Sequence, residues 1–122
     1  MLMNRQLPQG GWNYGNTLVY GKELRPFVDT TGMALAALAG HVEKEKIRGS
    51  LHYLQTQAEQ TRTPLSLAWA LLGLGGWGEF PAAGLEGIDE TLRKQTKYGP
   101  YGTSLLSILA LAYLCRGDFR KC

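Results

Sequence analysis

The sequence predicts an all-α fold of about five helices, in which apolar helices alternate with amphipathic ones. Three observations carry this. No segment alternates with the two-residue period of a strand. The helical stretches read apolar, amphipathic, apolar, amphipathic, apolar in chain order. The three apolar stretches also align with one another: Thr30 to Pro64 is a step of 34 residues, and Pro64 to Thr103 one of 39. Periods of that size mark stacked or ring-closed helical pairs.

Residues 1–28 form a loop-rich opening that contains "QLPQGGWNYGN". "FVDTTGMALAALAGH" then turns helical, with Asp29 or Thr30 as its N-cap and Gly40 as its stop. Met33 to Ala39 is apolar on every side, so this helix needs protein all round it. "EKEKIRGSLHYLQTQAEQ" differs: Ile47, Leu51, Leu54 and Ala58 make one stripe and polar groups fill the rest. These two helices form a first pair over 29–60. "TPLSLAWALLGLGG" is apolar again, with Thr63 as cap, Pro64 at the first helical position and Gly75-Gly76 as stop. "GLEGIDETLRKQTK" returns to the amphipathic kind, with Leu85, Ile88 and Leu92 as its stripe, and closes a second pair over 63–97. "GTSLLSILALAYLCRG" supplies the third apolar helix, 102–116, starting at Thr103 or Ser104. Apolar helices covered by amphipathic ones give an inner and an outer layer of antiparallel hairpins. In the alignment Ala34, Ala68 and Ser107 coincide, as do Leu38, Leu72 and Leu111; small matched residues would let inner helices pack closely.

With 122 residues, 44% of them hydrophobic, the chain suits one domain with a core. The 13 basic and 10 acidic residues leave a net charge of +3, too mild for a nucleic-acid surface. The bases are scattered among acids: Lys44, Lys46 and Arg48 in one helix, Arg93, Lys94 and Lys97 in another. Cys115 reads as core and Cys122 as exposed, so the two do not make a disulfide framework. His41 and His52 stand alone, without zinc spacing; no metal and no cofactor is expected. "MLMNRQ" is not a signal peptide and no run reaches the ~18 apolar residues of a membrane span, so the expected compartment is cytoplasmic.

Gln6-x-x-x-Gly10-x-Trp12 matches the Gln-Trp motif of the prenyltransferase and squalene-oxidase repeat proteins, and "FVDTTGMALAAL" resembles the inner-helix start that follows it there. "RGSLHYLQTQ", Arg48 to Gln57, resembles the family's outer helix. After Gln57 the Gly-x-Trp is replaced by "AEQTRT", and the third repeat offers Tyr98 and Tyr101 of "KYGPYGT" in place of the tryptophan. The family includes terpenoid cyclases and protein prenyltransferases. The resemblance implies a partial α/α toroid of helical hairpins, with the chain a fragment of a larger ring. It also implies that Gln6, Gly10 and Trp12 clasp hairpins together, and that an isoprenoid or other lipid-like ligand sits in an aromatic cavity. Tyr14, Tyr98, Tyr101 and Trp12 are the candidates to line such a cavity.

Chemistry has thinner support. Cyclases that protonate their substrate use an Asp-x-Asp-Asp cluster, and Phe27-Val28-Asp29-Thr30 keeps only the middle carboxylate. A lone Asp29 at a helix N-terminus is held as its anion, which suits a cap better than an acid. Glu86, Asp89 and Glu90 sit beside Arg93 and Lys94 at pairing distance, as a solvated face rather than a magnesium motif. Asp-x-Cys and Cys-Gly-Glu-Gln patterns are absent. Gly75-Gly76-Trp77-Gly78 reads as a helix stop and turn. Two functions follow as expectations. One is a squalene-cyclase or prenyltransferase-like repeat domain that binds a long apolar ligand without a complete catalytic set. The other is a non-enzymatic repeat scaffold for self-association or protein association, since an uncovered "SLLSILALAYL" would expose a large apolar patch. A homo-oligomer, or the remainder of a longer chain, would cover it.

Overall fold

A computed structural model describes residues 3, 6–7, 10–12, 18–19, 22–23, 26–61, 63–95 and 99–115. The fold is all-α. Five helices are described: α1 Val28–Leu38, α2 Arg48–Ala58, α3 Pro64–Gly75, α4 Gly84–Arg93 and α5 Thr103–Leu114. Ahead of them, β1 Leu18–Val19 and β2 Lys22–Glu23 pair antiparallel over two residues each. A single bridge joins Trp12 to Phe27.

The middle apolar helix, α3, is the hub. It packs on α1 and on α5, so the three apolar helices form one row. The amphipathic α2 lies against α1 and α3, and α4 lies against α3 and touches α5. One core joins Trp12 to Leu35, Ile47, Leu54 and Leu74; a second joins Leu67, Leu71 and Leu72 to Ile88 and Leu109. Each fully buried leucine or isoleucine contributes about 1.5–3 kcal/mol through lost apolar hydration.

Glycine sets the spacing of α1 and α3. A β-carbon on Gly32 would stand 2.2 Å from the carbonyl oxygen of Trp69, and one on Gly73 would stand 2.8 Å from the carbonyl oxygen of Gly32. Further along, Gly76 meets the side chain of Ala39. The contacts advance in the same direction along both helices, from Gly32 with Trp69 to Ala39 with Gly76, so α1 and α3 run parallel. The alignment-matched pair Ala34 and Ala68 is buried, but the closest approach belongs to Gly32 and Gly73, which the alignment does not pair.

Helix starts and faces differ from the sequence reading in two places. Asp29 and Thr30 do not cap α1. The bridge to Trp12 holds Phe27 extended, the Phe27 carbonyl accepts the Thr31 N–H at 3.0 Å, and the helix starts at Val28 with Asp29 inside its first turn. The buried face of α4 is Gly84, Gly87, Ile88 and Thr91, with Leu85 and Leu92 only half-buried. The helix is rotated because its glycines, not its leucines, approach α3: a β-carbon on Gly84 would lie 3.2 Å from Leu71 Cδ2. The apolar α5 is not surrounded. Only Leu109 and Ala112 are buried along it, and Leu106, Leu111, Tyr113 and Leu114 are exposed. The stripe of α2 is as read: Ile47, Leu51, Leu54 and Ala58 are all buried.

Candidate functional site

Two places combine unusual side chains with a defined geometry: the junction of the opening loop with α1 and α2, and the groove between α4 and α5.

At the junction, Gln6 reaches the start of α2. Its Nε2 donates to the Lys46 carbonyl at 3.2 Å, and its Oε1 accepts the Ser50 hydroxyl. The Ser50 Oγ in turn accepts the Gly11 N–H at 2.8 Å. Gly10 lies against the Gly49 backbone, where a β-carbon would be 2.5 Å from the Gly49 carbonyl carbon, and its φ of 100° is in the left-handed region. Only glycine meets both demands without strain. Trp12 then turns to α1. Its N–H donates to Thr31 Oγ1 at 2.8 Å, and its carbonyl accepts the Thr30 hydroxyl and the Phe27 N–H at 2.8 Å each. The Trp12 residue is 2% exposed, packed into the first core. Thr31 and Ser50, both fully buried, are the polar anchors of this junction. Nothing in composition or period singles them out, because their partners lie 19 and 39 residues away.

A second junction repeats the theme. Trp77, read as part of a turn, donates its Nε1–H to the Leu35 carbonyl at 2.8 Å. Lys44 Nζ pairs with Glu79 Oε1 at 2.5 Å, and Gln55 Nε2 donates to Glu79 Oε2 at 3.0 Å. The loop after α3 is thereby fastened to α1 and α2.

Asp29 is half-buried, and its Oδ1 accepts the neighbouring Thr30 N–H at 2.9 Å. Tyr53 of α2 comes to the same corner and donates its hydroxyl to the Pro26 carbonyl at 3.1 Å. Burial raises the Tyr53 pKa, and the negative charge of Asp29 raises it further. Tyr101 is half-buried against the second core; its hydroxyl donates to the Thr91 carbonyl and its N–H to Gln95 Oε1 at 2.9 Å. The ring thus latches the α4–α5 link to the end of α4. Tyr14 and Tyr98 lie outside the described residues. Trp12 and Tyr101 are therefore in different cores, and no described pocket brings them together.

The groove between α4 and α5 has a volume of about 420 Å³. Ile88, Asp89 and Leu92 form one wall; Leu106, Ala110, Tyr113 and Leu114 form the other. Asp89 is the one charged residue among its lining groups, which are otherwise apolar except for the Tyr113 hydroxyl. Cys115, just past α5, is buried and is not a free thiol. Among the described residues no group of three or more His, Cys, Asp or Glu side chains could hold a metal ion, and no helix is long and apolar enough to cross a membrane. No family, curated protein or solved structure matches the chain.

Proposed function

We propose that this chain is a helical-repeat scaffold without its own catalytic set, built of hairpins of the α/α-toroid kind, that associates with another polypeptide through the open edge at α5. The observation that carries the reading is α5 itself. From Thr103 to Cys115 it has no charged residue, yet Leu106, Tyr113 and Leu114 face solvent. Apolar surface of that extent marks an interaction site on a soluble protein. The rings offered as a ligand cage support the same reading, since the Trp12 ring is buried in the first core and the Tyr101 hydroxyl is bonded to the Thr91 carbonyl. So does the junction chemistry: Gln6, Gly10 and Trp12 fasten the starts of α1 and α2 and line none of the described pockets.

A second reading has its own observation. The α4–α5 groove is large and oily enough for a short isoprenoid or other long apolar ligand, within the usual range of about 300–1,000 Å³ for ligand sites. Native mass spectrometry of the purified chain separates the two. A complex of protein chains that Leu114→Glu dissolves supports the scaffold. A monomer carrying a co-purified lipid of fixed mass supports the ligand site and defeats the scaffold.

A further inference from the structure

We infer that the α4–α5 groove is the seat of a second amphipathic helix of the α4 kind, lying on α5 as α4 lies on α3. This rests on the scaffold reading and names the partner it leaves open. The aligned apolar helices place Leu67 and Leu71 of α3 at the positions of Leu106 and Ala110 of α5. In α3 those positions are covered: Leu67 is 2% exposed and Leu71 is fully buried. Their cover is the glycine face of α4, where β-carbons on Gly84 and Gly87 would lie 3.2 Å from Leu71 Cδ2 and 3.4 Å from Leu67 Cδ2. In α5 the same positions are open, with Leu106 36% exposed.

The cavities repeat this relation. Leu67 and Leu71 line a gap of about 180 Å³, walled by Ala58 on one side and by Pro81, Gly84 and Gly87 on the other. Leu106 and Ala110 line the groove of about 420 Å³, walled on one side by Ile88 and Leu92 of α4, with no second outer helix opposite among the described residues. The larger volume is the equivalent gap with its far wall missing. The occupant that restores it has the features of α4: small residues one turn apart facing the leucines, an apolar flank towards Ile88 and Leu92, and a charged outer face. Such a helix needs only one apolar side, so it is polar enough to exist free and to fold on docking.

The probe is a synthetic peptide of residues 81–95, which carries α4's own sequence, added to the full chain with methyl-labelled leucines. The expected result is saturable shifts at the Leu106 and Leu114 methyls, with those of Leu35 unchanged. A peptide with Gly84→Leu and Gly87→Leu should bind at least tenfold more weakly. Leu106→Glu in the chain should abolish the shifts, and Leu114→Glu, at a position 75% exposed and so safe for folding, should weaken them severalfold. Shifts confined to Leu67 and Leu71 would mean that the peptide displaces the resident α4, and would overturn the inference. So would no shift at millimolar peptide, or equal binding by the leucine-substituted peptide. If the peptide fails while chains still associate through α5, this inference falls and the scaffold reading stands; if Leu114→Glu leaves association intact, the scaffold reading falls as well.

Discussion

Ser50 shows how much one hydroxyl can hold. It donates to Gln6 and accepts from the Gly11 N–H while fully buried. Ser50→Ala leaves a buried N–H without its acceptor, at a cost of about 1–3 kcal/mol. The expected outcome is a thermal midpoint several degrees lower with the helix content unchanged, measured by circular dichroism. Tyr53 gives a pH dependence of definite sign. Its pKa is raised from 10.0 by burial first and by Asp29 second, so the folded chain holds the phenolic proton more tightly than the unfolded chain does. That contribution is fully present below the unfolded value of about 10 and is lost as pH rises through the folded value. Denaturant midpoints between about pH 9 and pH 11 should fall for the wild type and fall less steeply for Tyr53→Phe. An equal slope in both would refute the assignment.

At the scale of elements, the α1–α3 contact decides between two opposed effects. Alanine is the better helix former, by about 1 kcal/mol over glycine. In Gly32→Ala, however, the new methyl would stand 2.2 Å from a backbone oxygen of the neighbouring helix, which cannot swing aside as a side chain can. Overpacking of that kind costs about 1–3 kcal/mol or more, so the net change should be a loss. Gly102→Ala, which meets nothing within 4 Å, should stay within about 0.5 kcal/mol of wild type in urea unfolding. The same contact explains which elements could be read from the sequence. The stripe of α2 was legible because leucine and isoleucine mark their own burial. The face of α4 was not, because Gly84 and Gly87 carry the contact and glycine has no hydropathy signal to count. The anchors Thr31 and Ser50 were hidden for another reason: a polar residue with a distant partner looks like any surface residue until the chain is folded. Gln6, Gly10 and Trp12 are singled out only by their resemblance to a family motif, and Trp77 lies in the turn the sequence predicts but also makes a comparable junction there.

For the whole molecule, an apolar run shows that a helix needs cover, but not whether the chain supplies it. Among the described residues α3 finds most of that cover, α1 leaves Met33 exposed on one side, and α5 is open along most of its length. Leu114→Glu should therefore change assembly and leave stability alone. Sedimentation equilibrium should show the association constant falling at least tenfold, while the urea midpoint stays within about 0.5 kcal/mol of wild type. A variant that unfolds, or one that associates as before, would contradict the open-edge description of α5.

The junctions also dictate an order of assembly. Gln6 meets Lys46 across 40 residues, Gly11 meets Ser50 across 39, and Trp77 meets Leu35 across 42. Each closure spans about one hairpin, and contacts so distant along the chain form after local helices rather than before them. During synthesis Trp12 can meet Thr31 early, but Gln6 and Gly11 have no partner here until residues 46–50 have left the ribosome. Gln6 and Gly11 are thus made before their partners and used late, as the fastening drawn shut over a hairpin already formed.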